Sequence, residues 1–139
     1  MLFRSAPNPR EPIQVLAQVG GFEIAALAGV ILGAAAHRTP VVLDGFISGA
    51  AGVVAAAIQP AARAYCIASH RSVEQGHRAA LAWLGLEPLL DLNLRLGEGT
   101  GAVLAFPIIE AAAKLLAEMA TFDAAGVSES TDGQPSPAE

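Results

Sequence analysis

The sequence predicts an α/β protein: a helix-rich parallel sheet covered by helices. Three observations carry this expectation. Short apolar runs alternate with longer alanine-rich stretches of helical character. The clearest run, Val41-Val42-Leu43, ends in Asp44-Gly45, the pattern of a buried parallel strand closing in a turn. The abundant alanine and glycine let helices pack closely onto a sheet.

Taken in order, residues 1–11 are polar, carry Pro7 and Pro9, and read as a linker-like lead-in. Pro12 suits a first helical turn, and Ile13, Val15, Leu16 and Val19 give a short amphipathic helix ended by Gly20 and Gly21. A second helix is expected from Phe22 to Ala36, with His37 and Arg38 at its negative end and Pro40 forbidding continuation. After the strand at Val41–Leu43 come a helix over Ile47–Ile58, a break at Pro60 and a strand around Tyr65–Ala68. His70–Gln75 reads as a polar loop, and Gly76–Leu84 as a helix capped by Gly85. In Glu87–Leu96 the leucines at 90, 92, 94 and 96 alternate with polar residues, as in a half-buried strand. Gly97–Gly101 is a glycine-rich loop opening a last helix, about Thr100–Met119, with Pro107 kinking it or lying within its first turns. Residues 12–120 form the folded body, and 121–139 a mostly disordered acidic tail.

Composition narrows the function. With 139 residues, 53% hydrophobic and 15% charged, the chain is long and apolar enough for one domain with a core. Most of the net charge of -5 resides in the tail: eight basic residues face nine acidic ones through Ala120, and four acids follow. A neutral body with one lysine, Lys114, offers no basic stripe for nucleic acid, so acidic substrates would be held by backbone N–H groups. The lone Cys66 excludes an intramolecular disulfide and agrees with a cytoplasmic setting. The apolar stretch from Gly20 to Ala36 falls short of the roughly 20 residues of a bilayer span, and Ala102–Ala120 is interrupted by Pro107, Glu110, Lys114 and Glu118. No membrane partner is expected.

In a parallel sheet, ligands bind beyond the carboxyl ends of the strands. That rule selects Asp44-Gly45-Phe46 and Leu96-Gly97-Glu98-Gly99-Thr100-Gly101. The glycines would let the backbone approach a ligand while the following helix aims unpaired N–H groups at an anion. The spacing is neither the dinucleotide fingerprint nor a P-loop. Glu98, partly desolvated between two glycines, would have a raised pKa and act as a general base; as an alternative, it complements a helix dipole. Asp44 either contacts a ligand hydroxyl or shapes the turn. His70, Glu74 and His77 have helix-compatible spacing for a metal, but Gly76 disfavours one continuous helix there, and a hydroxyl contact or helix cap from Ser72 is preferred. Ser48 lies in no nucleophile elbow.

Several collinear motifs then point one way: Val19-Gly20-Gly21-Phe22-Glu23-Ile24-Ala25, Val41–Ile47, His70-Arg71-Ser72 with Glu74 and Gly76-His77, and Leu89-Leu90-Asp91-Leu92 leading to Arg95–Ala102. With Met119–Phe122 and Ala125–Val127 they resemble the nicotinate-nucleotide–dimethylbenzimidazole phosphoribosyltransferase family. The resemblance implies a fragment of a larger Rossmann-like three-layer domain. It also implies phosphoribosyl transfer from nicotinate mononucleotide to 5,6-dimethylbenzimidazole, giving α-ribazole phosphate and nicotinate in the making of the cobalamin lower ligand. It places the catalytic base at Glu98 and puts Gly45, Ser72, Leu96 and Gly97 in the substrate pockets, beside Asp44 and Phe46. No cofactor or metal is implied. The family extends far upstream, so the chain resembles its carboxyl-terminal part, expected to form a homodimer or to associate with a missing amino-terminal half. The alternatives are half of a split enzyme or a noncatalytic interaction fragment.

Overall fold

The chain folds into α1 (Pro12–Val19), α2 (Phe22–Ala36), β1 (Val41–Leu43), α3 (Phe46–Ile58), a 3₁₀ stretch (Pro60–Tyr65), β2 (Cys66–Ala68), β3 (His70–Ser72), α4 (Gln75–Leu84), β4 (Leu90–Leu94) and α5 (Thr100–Glu118). The computed structural model describes residues 6–121 and 124–126. They divide into two compact units, one through Pro107 and one from Ile108. Most of the expected acidic tail lies outside the described residues.

The first unit is built on parallel pairing. β1 pairs with β2 in the register Val41↔Cys66 to Leu43↔Ala68, and β3 pairs with β4, His70 opposite Leu90 and Ser72 opposite Leu94. Ser69 joins the two pairs: its N–H donates to the Leu43 carbonyl, and its own carbonyl accepts from Leu90 N–H. Residues 66–72 thus run as one central segment that borders β1 with its first half and β4 with its second. Here the structure departs from the expected polar loop at His70–Gln75. His70, Arg71 and Ser72 have no apolar pattern, and their strand form comes from this pairing across the chain.

The core joins α2, α3, α4 and the first pair through Ala28, Ile31, Leu43, Ala51, Ala55, Ala56, Cys66 and Leu84. Small residues allow this close approach: a Cβ on Gly52 would stand 3.0 Å from Leu43 Cδ1. Cys66 is buried, its thiol facing the Ala62 carbonyl, and burial pushes its pKa up, so it behaves as a small apolar residue. α4 ends as expected at Gly85, whose φ of 62° is left-handed, with Leu86 N–H closing onto the Leu81 carbonyl.

One further expectation needs correction. β4 is not half-buried in the alternating manner, because Leu92 is 55% exposed; as an edge strand it lacks a second face to cover. Pro107 lies inside α5, as its eighth residue. By length and composition α5 is the one helix among the described residues apolar enough to cross a membrane.

Candidate active site

The carboxyl ends of β1, β3 and β4 open on one side into a cavity of about 470 Å³ in the first unit. Glu98, Asp44, Gly45, Phe46, Ser72, Leu96 and Gly97 all line it, so the structure brings together the seven residues assigned to the catalytic and substrate-binding set from the sequence. It adds His70, Glu74 and Arg95. The switch-point rule supplies the location; from the sequence, His70 and Glu74 stand out only by their spacing for a metal, and Arg95 only as part of the motif that runs to Ala102.

The glycine loop turns through three consecutive left-handed residues: Gly97 at φ 76°, Glu98 at 57° and Gly99 at 79°. Glycine adopts this freely, but a glutamate there costs about 1–2 kcal/mol. Something must hold the loop, and that is Asp44. Gly99 N–H donates to its Oδ2 at 3.1 Å, and Ala102 N–H donates to its Oδ1 at 3.0 Å. The residue that ends β1 therefore caps α5 from across the sheet. Two N–H groups of the expected anion cradle are thus taken by the protein's own carboxylate. Thr100 completes the turn, its Oγ1 donating to the Gly97 carbonyl at 2.8 Å.

Glu98 projects at the cavity rim and is exposed, not desolvated as expected. No hydrogen bond or ion pair holds its carboxylate among the described residues, which leaves it available to an incoming group.

The surroundings of the lining residues His70 and Ser72 are more tightly built. Ser69, His70, Ser72 and His77 are all buried. Gly101 fits against His70 so closely that a Cβ would stand 1.8 Å from Nδ1. Ser72 N–H donates to His77 Nδ1 at 3.0 Å, which fixes that nitrogen as an acceptor. Burial, then the neighbouring His70, hold His77 below its ordinary pKa. The Ser72 hydroxyl donates to Glu74, and that bond, followed by the Glu74 backbone N–H, lowers the Glu74 pKa and keeps it an anion. His77 Nδ1 accepts from Ser72 N–H, so the neutral ring carries its proton on Nε2 and keeps no lone pair for a metal shared with His70 and Glu74. Among the described residues there is no cluster of three His, Cys, Asp or Glu side chains placed to hold a metal.

Parallel strands with a cavity at their carboxyl ends, walled by a glycine loop that carries a carboxylate, define an α/β ligand site. The profile of a phosphoribosyltransferase family matches residues 1–127, and the chain belongs to that family. Among its relatives is the nicotinate-nucleotide–dimethylbenzimidazole phosphoribosyltransferase of Chloroflexus aurantiacus, 66% identical over 128 residues, which are 92% of this chain and 36% of the relative. The enzyme of the same name from Geotalea uraniireducens is 60% identical over 123 residues, 88% of this chain and 35% of the relative. The crystal structure of the Thermus thermophilus enzyme superposes with a TM-score of 0.84 at 50% identity, covering 91% of this chain and 38% of that one. The chain thus spans little more than a third of the length of these relatives, and the α/β fold expected of a fragment is the one found.

Proposed function

We propose that this chain supplies the general-base wall of an enzyme that transfers the phosphoribosyl group of nicotinate mononucleotide to 5,6-dimethylbenzimidazole. The imine nitrogen of the benzimidazole attacks the anomeric carbon as the bond to nicotinate breaks. The proton on the other ring nitrogen passes to Glu98, leaving α-ribazole phosphate and nicotinate. The observation that carries this reading is Glu98 itself: a carboxylate without a partner among the described residues, on a left-handed loop at the cavity mouth, in a chain of this family. The aromatic substrate, on entering, would exclude the water that now reaches Glu98. Gly45, Phe46, Ser72, Leu96 and Gly97 form the walls against which substrate packs, and Asp44 serves by holding the loop.

Residues 12–120 are the part of the catalytic domain contained here, working in the cytoplasm. The remaining surfaces of the site come from a second copy or from the portion of the family's fold that this chain does not span. Phe22, 95% exposed, and Ile13, 68% exposed, support such an association.

The test joins this chain to the part of the Chloroflexus aurantiacus relative outside the match and measures α-ribazole phosphate. Formation of product is expected, and Glu98→Gln should lower turnover by roughly 100-fold, the scale of a lost general base. Turnover unchanged by that substitution would remove Glu98 from the mechanism.

A further inference from the structure

His70 is 2% exposed yet lines the cavity. Its hydrogen bonds fix which ring nitrogen carries the proton. The Ser69 hydroxyl sits 3.1 Å from the Asp44 backbone carbonyl, which can only accept, so the single hydroxyl proton is spent there. The same oxygen lies 3.1 Å from His70 Nδ1 and must accept in that contact. Nδ1 therefore bears the hydrogen. Asp44 Oδ1, 3.8 Å from Nδ1, favours the same arrangement electrostatically. In the neutral ring Nε2 is then left with a bare lone pair.

That lone pair has no partner among the described residues. Nor does Nε2 count among buried side-chain atoms lacking one, because no such atom exists in the described residues; it is open at the cavity the ring lines. Gly45 stands beside this edge of the ring, its Cβ position 3.7 Å from Cε1 and 3.9 Å from Nε2. A side chain this buried, held by two neighbours and presenting one unpaired acceptor, selects a hydrogen-bond donor. It repels phosphate and carboxylate, which bring only acceptors. The benzimidazole N–H is allotted to Glu98. We infer that His70 Nε2 accepts a hydrogen bond from a hydroxyl of the substrate's sugar, making His70 a further substrate-binding residue. The inference rests on the reaction proposed above for its choice of substrate, while the acceptor itself rests on the geometry alone.

Two measurements separate these. Ring nitrogen NMR of the 139-residue chain should show His70 as the Nδ1–H tautomer; the Nε2–H tautomer would overturn the inference, whatever the activity. In the active joined protein, His70→Asn preserves a donor near Nδ1 and deletes the acceptor, whereas His70→Gln places an amide oxygen near Nε2. Loss of about tenfold or more in kcat/KM for the nucleotide is expected with Asn, and near-normal values with Gln. A purely structural histidine would give the reverse order, which refutes the proposal. With 2′-deoxy and 3′-deoxy nicotinate mononucleotide, His70→Asn should cause no further loss for the analogue lacking the bound hydroxyl. Full additivity with both analogues would exclude the sugar as the donor. Absence of product from the unsubstituted joined protein would count against the reaction, and the tautomer would still decide the acceptor.

Discussion

Replacing Asp44 by Asn tests whether one carboxylate holds the loop that bears Glu98. The substitution preserves size but leaves one oxygen for two N–H groups, Gly99 at 3.1 Å and Ala102 at 3.0 Å, and turns an NH₂ toward the other. A hydrogen bond to a charged acceptor contributes about 1.5–3 kcal/mol, and its neutral counterpart about 1 kcal/mol. Losing one bond and weakening the other amounts to about 2–5 kcal/mol. Asp44 is only 16% exposed, so water recovers little, while loop relaxation recovers part. A net cost of about 2 kcal/mol moves the urea midpoint down by about 1 M at a typical slope of about 2 kcal/mol per molar. Urea unfolding with amide hydrogen exchange is the assay: exchange at Gly99 and Ala102 should quicken more than elsewhere in the first unit. An unchanged midpoint together with unchanged exchange at both amides would show that the carboxylate does not carry the loop.

Gly101→Ala should be costly although its backbone is ordinary helix, because the new Cβ would fall 1.8 Å from His70 Nδ1; overpacking of about 2 kcal/mol should lower Tm by about 6–8 °C. An unaltered thermal melt would contradict this contact. For His77, burial first and His70 second lower the folded-state pKa below the ordinary 6.5. The unfolded chain therefore binds the proton more readily. Stability from this group is complete above about pH 6.5 and declines as pH falls, levelling below the folded-state value. Protonation also opposes the Ser72 N–H that donates to Nδ1. Melting curves from pH 7.5 to 5 should show the decline in the native sequence and a flatter profile in His77→Gln; equal slopes would contradict it. The chain alone should elute above the size of a 14.1 kDa monomer, since Phe22 and Ile13 expose large apolar surface; a monomeric mass by light scattering at high concentration would contradict it.

Where a local signal decided the backbone, the sequence was legible. α2 begins after Gly21 and ends before His37, α4 stops at Gly85, and β1 matches Val41–Leu43, because each boundary is set by residues within a turn of it. β3 was illegible for the opposite reason: His-Arg-Ser becomes strand only because Ser69 passes the chain from one partner strand to the next. The site divides along the same line. Three glycines around Glu98 announce a loop that can turn left-handed, and the rule about strand ends locates it at the cavity. The helix start was also rightly read as anion-seeking, but the anion is Asp44, 55 residues away from Gly99 and 58 from Ala102. No local pattern could pair them. His70 is the extreme case, since its tautomer follows from a serine proton committed to a carbonyl 25 residues distant. The same carboxylate that neutralises the helix start also faces His70 Nδ1, so the loop bearing Glu98 and the ring presenting Nε2 share one anchor. Removing that anchor should disturb both groups together, which makes Asp44, not Glu98, the residue through which the two sides of the cavity are coupled.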